Sequence, residues 1–74
     1  MTPPRPLRLL DTVALLDDAP EHGLARGQVG TLVEGLAPGV WLVEFSDDDG
    51  RTYAMPALHE EQVMALRFSA ASAA

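Results

Sequence analysis

The 74-residue sequence contains no cysteine and no lysine. Without cysteine there is no disulfide framework, no thiolate metal site and no thiol nucleophile. Without lysine, amine nucleophiles are missing too, and arginine alone carries the fixed positive charge. Five arginines stand against eleven acids, a formal charge of −6. An acidic surface repels phosphate backbones, which disfavours nucleic-acid and anionic-membrane binding and leaves a basic partner as the natural complement. No apolar run approaches the length of a membrane span, and none follows the arginines near the N-terminus. A cytoplasmic protein is expected. No internal repeat is present.

What is there is the composition of a globular chain, 47% apolar. Residues 1–8 hold three of the six prolines and two arginines, and read as an extended, disordered arm. Pro3-Pro4-Arg5-Pro6-Leu7-Arg8 matches the PxxPxR pattern that SH3 domains bind, but so short a pattern recurs by chance and a proline-stiffened tail is the favoured reading. Residues 69–74 read as a small-residue, disordered tail. The domain, residues 9–68, is then roughly 60 residues long, a size at which folding buries only about 60% of the chain's surface. Such a domain gains from a partner or from self-association, and a homodimer is compatible with the sequence.

Two runs organise this domain. Arg26-Gly27-Gln28-Val29-Gly30-Thr31-Leu32-Val33-Glu34 and Gly39-Val40-Trp41-Leu42-Val43-Glu44-Phe45 each read as a strand, joined by a reversal at Leu36-Ala37-Pro38-Gly39. Alternation, with Glu34 and Glu44 marking the wet faces, puts Val29, Thr31 and Val33 inward, with Trp41, Val43 and Phe45 facing them. Leu32 and Leu42 then fall on the wet faces, either half covered by a tightly coiled sheet or, if not, as an apolar patch suited to a partner. Thr12 to Leu16 reads as an earlier strand, and Arg51 to Met55 as a later one stopping at Pro56. A helical or 3₁₀ turn over Leu58 to Gln62 precedes a last short strand from Val63 to Arg67. Asp17 to Arg26 is the longest loop, and Ser46-Asp47-Asp48-Asp49-Gly50 is a tight turn. This order describes an all-β protein: a small SH3-like, five-stranded antiparallel barrel with one 3₁₀ or helical turn before the last strand.

Arg26-Gly27-Gln28-Val29-Gly30-Thr31-Leu32-Val33 resembles the KOW motif of ribosomal and transcription-elongation SH3-like domains. With Pro20, His22 and Arg26, the segment is also similar to the SH3-like domain of the nitrile hydratase β subunit. A longer likeness runs from Leu10 to Leu66. Its pattern is Leu10-Asp11, Val13-Ala14-Leu15, Pro20-Glu21-His22-Gly23-Leu24, Arg26 to Thr31, Ala37-Pro38-Gly39-Val40 and Glu44 to Ala54. In these residues the chain resembles an uncharacterised family of small bacterial proteins. That resemblance implies an SH3-like fold acting as an accessory, immunity or antitoxin-type partner. Leu42 departs from the pattern, where a polar residue is expected.

The candidate chemistry is sparse. Asp47-Asp48-Asp49-Gly50 lacks the alternate-position acids and distant bidentate glutamate of a calcium loop, and reads as a solvated turn. Glu21-His22 and His59-Glu60-Glu61 lack zinc-helix spacing, so no metal site is expected, and His22 instead suits pinning its loop to backbone. Ser46, Ser69 and Ser72 have no histidine and carboxylate at recognisable positions. Trp41 shares parity with Val43 and Phe45 and reads as core rather than as a base-stacking platform. Arg26 and Arg51 read as structural ion-pair partners of nearby acids. The expectation is a non-catalytic protein-interaction module without cofactor. Its partner-binding residues are Glu21, His22, Arg26, Leu42, Asp47, Asp48, Asp49 and Arg51. The alternatives are a KOW-type nucleic-acid-binding domain and an accessory subunit or activator of a nitrile-hydratase-like enzyme.

Overall fold

The computed structural model describes residues 6–68. The expected tail and the first five residues of the arm lie outside them. Six strands form one antiparallel sheet: β1 (Thr12–Leu15), β2 (Val29–Ala37), β3 (Val40–Ser46), β4 (Thr52–Ala54), β5 (Ala57–His59) and β6 (Val63–Ala65). The order across the sheet is β4-β3-β2-β1-β6, and β5 also pairs with β3. Two 3₁₀ turns, Pro20–His22 in the long loop and Glu60–Gln62 before β6, complete the fold. No helix among the described residues is long and apolar enough to cross a membrane.

The sixth strand comes from Pro56. A strand was expected to end there, but β5 resumes in the register β4 left. Phe45 faces Ala54, and five residues further along each strand Val40 faces His59. At the interruption the Val43 N–H donates to the Pro56 carbonyl at 3.0 Å. Proline has no N–H to return, so the ladder is half made at this point. Leu58 and His59 therefore belong to the strand, and the turn begins only at Glu60.

The core comprises Val13, Leu15, Ala19, Leu24, Leu32, Val43, Phe45, Leu58 and Val63. Each large side chain fully buried here contributes about 1.5–3 kcal/mol relative to exposure. β3 buries Val43 and Phe45 as expected, but Trp41 is only half-buried, packed on the core's rim against Gly35. β2 buries the face opposite to the one expected. Gly30 and Leu32 point inward, whereas Val29 is 46% exposed. The cause is a β-bulge. Leu32 faces Val43 while Glu34 faces Leu42, two steps on β2 for one on β3, so Val33 is an extra residue and alternation resets there. Glu34 does mark the outer face, but counting back from it across the bulge inverts everything before it.

Gly30 sits where β3 leaves no room for a side chain. A Cβ there would lie 2.8 Å from Val43 Cγ1 and 2.9 Å from the Glu44 carbonyl oxygen. The second 3₁₀ turn ties the two outer parts of the sheet together. The Glu60 N–H donates to Gly39 O and the Leu16 N–H to Gln62 O, each at 2.9 Å. At the start of the domain Leu7 is half-buried against the core. A β-turn follows, with the Asp11 N–H on Arg8 O at 3.0 Å and the Arg8 N–H on Asp11 Oδ2 at 2.9 Å.

Candidate functional site

The long loop and the acidic turn lie at the same end of the sheet, because β2 begins and β3 ends there and the two strands are antiparallel neighbours. Both are built from local hydrogen bonds.

In the loop, Ala19 and Leu24 are buried and exchange backbone bonds at 2.9 and 3.1 Å. This clasp holds the Pro20–His22 turn, which Gly23 closes in the left-handed region at φ 69°. The return limb is fixed by two side chains. Asp18 Oδ1 accepts the Arg26 N–H at 2.8 Å, and Gln28 Oε1 accepts the Ala25 N–H at 2.6 Å. His22 was expected to pin the loop, but Asp18 and Gln28 do so, and the His22 side chain stands exposed beside Glu21 at the tip.

In the turn, Asp47 Oδ1 accepts from the N–H groups of both Asp49 and Arg51 at 2.9 Å. Gly50, at φ 79°, donates its N–H to Asp47 O at 3.0 Å. This is the Asx-type use of aspartate that makes such residues turn formers. The loop and turn are bridged by the Gln28 Nε2–H, which donates to Tyr53 Oη at 3.3 Å. The Tyr53 ring is tilted against Phe45, with centroids 6.4 Å apart. Beside them the Thr52 hydroxyl donates to the Glu44 carboxylate.

Six carboxylates (Asp17, Asp18, Glu21, Asp47, Asp48, Asp49) and two guanidiniums (Arg26, Arg51) share this end, all exposed. Asp18 and Asp47 are committed to backbone N–H groups. Asp17, Glu21, Asp48 and Asp49 have no side-chain partner among the described residues. Arg26 and Arg51 were expected to form structural ion pairs. Instead their backbone N–H groups make the contacts, and neither guanidinium meets a carboxylate among the described residues. Such a surface attracts cations and presents acceptors.

Of the expected site residues, Glu21, His22, Arg26, Asp47, Asp48, Asp49 and Arg51 are therefore at one end. Leu42 is not with them. It faces Glu34 and Ala57 on the outer side of the other half of β3, and is half-buried. Glu21-His22 and His59-Glu60-Glu61 remain apart, and no group of three or more potential metal ligands converges among the described residues. Gln28 and Tyr53, which join the loop to the turn, carried no motif that would have singled them out.

No curated protein and no solved structure matches the chain. A family model does, over residues 9–65, nearly the stretch on which the longest likeness was read. By that match the chain belongs to the family of DUF4926, a domain of unknown function.

Proposed function

We propose that this protein is a non-catalytic interaction module, an SH3-like domain that binds a basic protein through the end formed by the long loop and the acidic turn. The observation that carries the reading is the pairing of two well-pinned loops at one end, with Asp17, Glu21, Asp48 and Asp49 left without a side-chain partner among the described residues. A preordered, exposed and acidic surface suits steered association with a positively charged partner. The role would be that of a small accessory, immunity or antitoxin-type protein, at work in the cytoplasm as a monomer or homodimer.

The likeness to KOW motifs rests on glycines, and Gly30 has a steric reason to be glycine wherever a paired strand packs this closely. That resemblance supports the architecture rather than a role in nucleic-acid binding. The test is affinity capture from a native lysate with the intact chain and with a Glu21→Arg, Asp48→Arg, Asp49→Arg variant. A basic protein is expected to be retained at low salt by the first and lost by the second. Equal recovery by both, or a salt-dependent shift of RNA by the intact chain, would overturn the reading.

A further inference from the structure

Away from the acidic end, a cavity of about 540 Å³ lies alongside β6. Pro6 and Leu7 line it together with Val63, Met64 and Ala65, and it includes Glu60 and Glu61 just before the strand and Arg67 just after. Among the described residues β6 has a hydrogen-bonded neighbour on one side only, β1. Which of its backbone groups are spoken for follows from the register. The Leu16 N–H donates to Gln62 O and the Leu66 N–H to Thr12 O, each at 2.9 Å, and Ala14 faces Met64 between them. Hydrogen-bonded pairs alternate with non-bonded ones along an antiparallel ladder. Val63 and Ala65 are thus the non-bonded positions, and their backbone groups face away from β1. The Val63 N–H is taken by Glu60 O, which leaves the Val63 carbonyl and both polar groups of Ala65 directed outward.

We propose that this groove is a peptide-binding site in which an extended segment of a partner protein adds to β6 as a further antiparallel strand. Strand addition uses the unpaired backbone groups for affinity and the flanking side chains for specificity. Glu60, Glu61 and Arg67 are exposed and have no side-chain partner among the described residues. Opposite charges therefore flank the strand, and they define the ligand. Running antiparallel to β6, it carries an acidic residue toward its N-terminus, facing Arg67, and a basic one toward its C-terminus, facing Glu60 and Glu61. Between them come β-branched residues to meet Leu7 and Met64. At about 3.3 Å per residue, five residues reach from Val63, where β6 begins, to Arg67 two residues past its end. The proposal rests on the protein being an interaction module but not on its acidic end.

The probe is the capped peptide acetyl-Glu-Val-Thr-Val-Arg-amide, added at millimolar concentration to the isotopically labelled full chain and followed by amide resonances and hydrogen exchange. Exchange of the Ala65 amide is expected to slow about tenfold at saturation. The peptide with its two charged residues exchanged should bind several-fold more weakly. A Glu60→Arg, Glu61→Arg, Arg67→Glu variant, altered only at exposed side chains, should reverse that preference. An unchanged Ala65 amide, or indifference to the order of the charges, overturns the proposal. So does Ala65 protection that grows with protein concentration alone, which would make a second copy the occupant. Protection in the free chain that disappears when residues 1–5 are removed would make the arm the occupant, and overturns it too. Perturbation confined to Glu21 and Asp47 to Arg51 would sink the groove while leaving the acidic-end reading standing. Ala65 protection with no basic partner captured would do the reverse.

Discussion

Gly30 and Val43 approach so closely that one added carbon on the glycine would come within 2.8 Å of the valine methyl. The neighbouring obstacle is the Glu44 carbonyl, which is backbone and cannot rotate aside. Gly30→Ala should therefore destabilise the domain by about 1–3 kcal/mol, the usual effect of overpacking. In urea unfolding the midpoint should fall with little change in slope. An unchanged midpoint would show that the strands are further apart than described.

The bulge at Val33 makes a sharp contrast between neighbours. Leu32→Ala opens a hole in the core and should cost about 2–5 kcal/mol, a large part of the stability of so small a domain. Val29→Ala, on the outer face, should change stability by less than about 1 kcal/mol. Thermal unfolding of the two variants side by side decides the matter, and the reverse ranking would restore the face read from simple alternation.

Leu10 is the third residue of the Arg8–Asp11 turn and has φ +70°, with its side chain 71% exposed. A leucine gives up about 1–2 kcal/mol in that conformation, and glycine nothing, although glycine loses about 0.5–1 kcal/mol through the unfolded chain. Leu10→Gly is thus expected to raise the unfolding temperature slightly. Leu10→Val, branched at Cβ, is expected to lower it. A drop with glycine would mean that the exposed leucine makes a stabilising contact.

Removing the Asp18 carboxylate tests how the long loop is held. In Asp18→Ala the Arg26 N–H loses its acceptor, so its hydrogen exchange should quicken while that of the core strands stays nearly unchanged. Exchange speeding up uniformly would mean that the loop and the core unfold as one unit.

The architecture was legible because its signals are local. Alternating apolar runs, turn glycines and the Asp-Gly step place the hairpins, and Val43 and Phe45 fall on the core side as parity demands. What sequence could not show depends on cross-strand register. Nothing in Leu32-Val33-Glu34 announces a bulge, so a glutamate that truly faces water misassigned the leucine two residues before it. Pro56 looked like a stop because it lacks a donor, yet a strand losing one donor can continue where its neighbour keeps the register. At the acidic end, seven of the eight expected residues do share one place, since loop and turn flank adjacent strands. Their internal roles were less visible. Aspartate at 18 and glutamine at 28 act on backbone groups several residues away, and only the folded path brings those groups within reach.

The Ala19–Leu24 clasp bears on how fast and how tightly anything could dock at the loop tip. A loop already anchored in the core gives up little freedom when a ligand arrives, so the entropic penalty of complex formation is small there. Affinity for a positively charged partner should then be governed by ionic strength. Added salt should slow encounter steeply, with a weaker effect on the lifetime of the complex once it has formed.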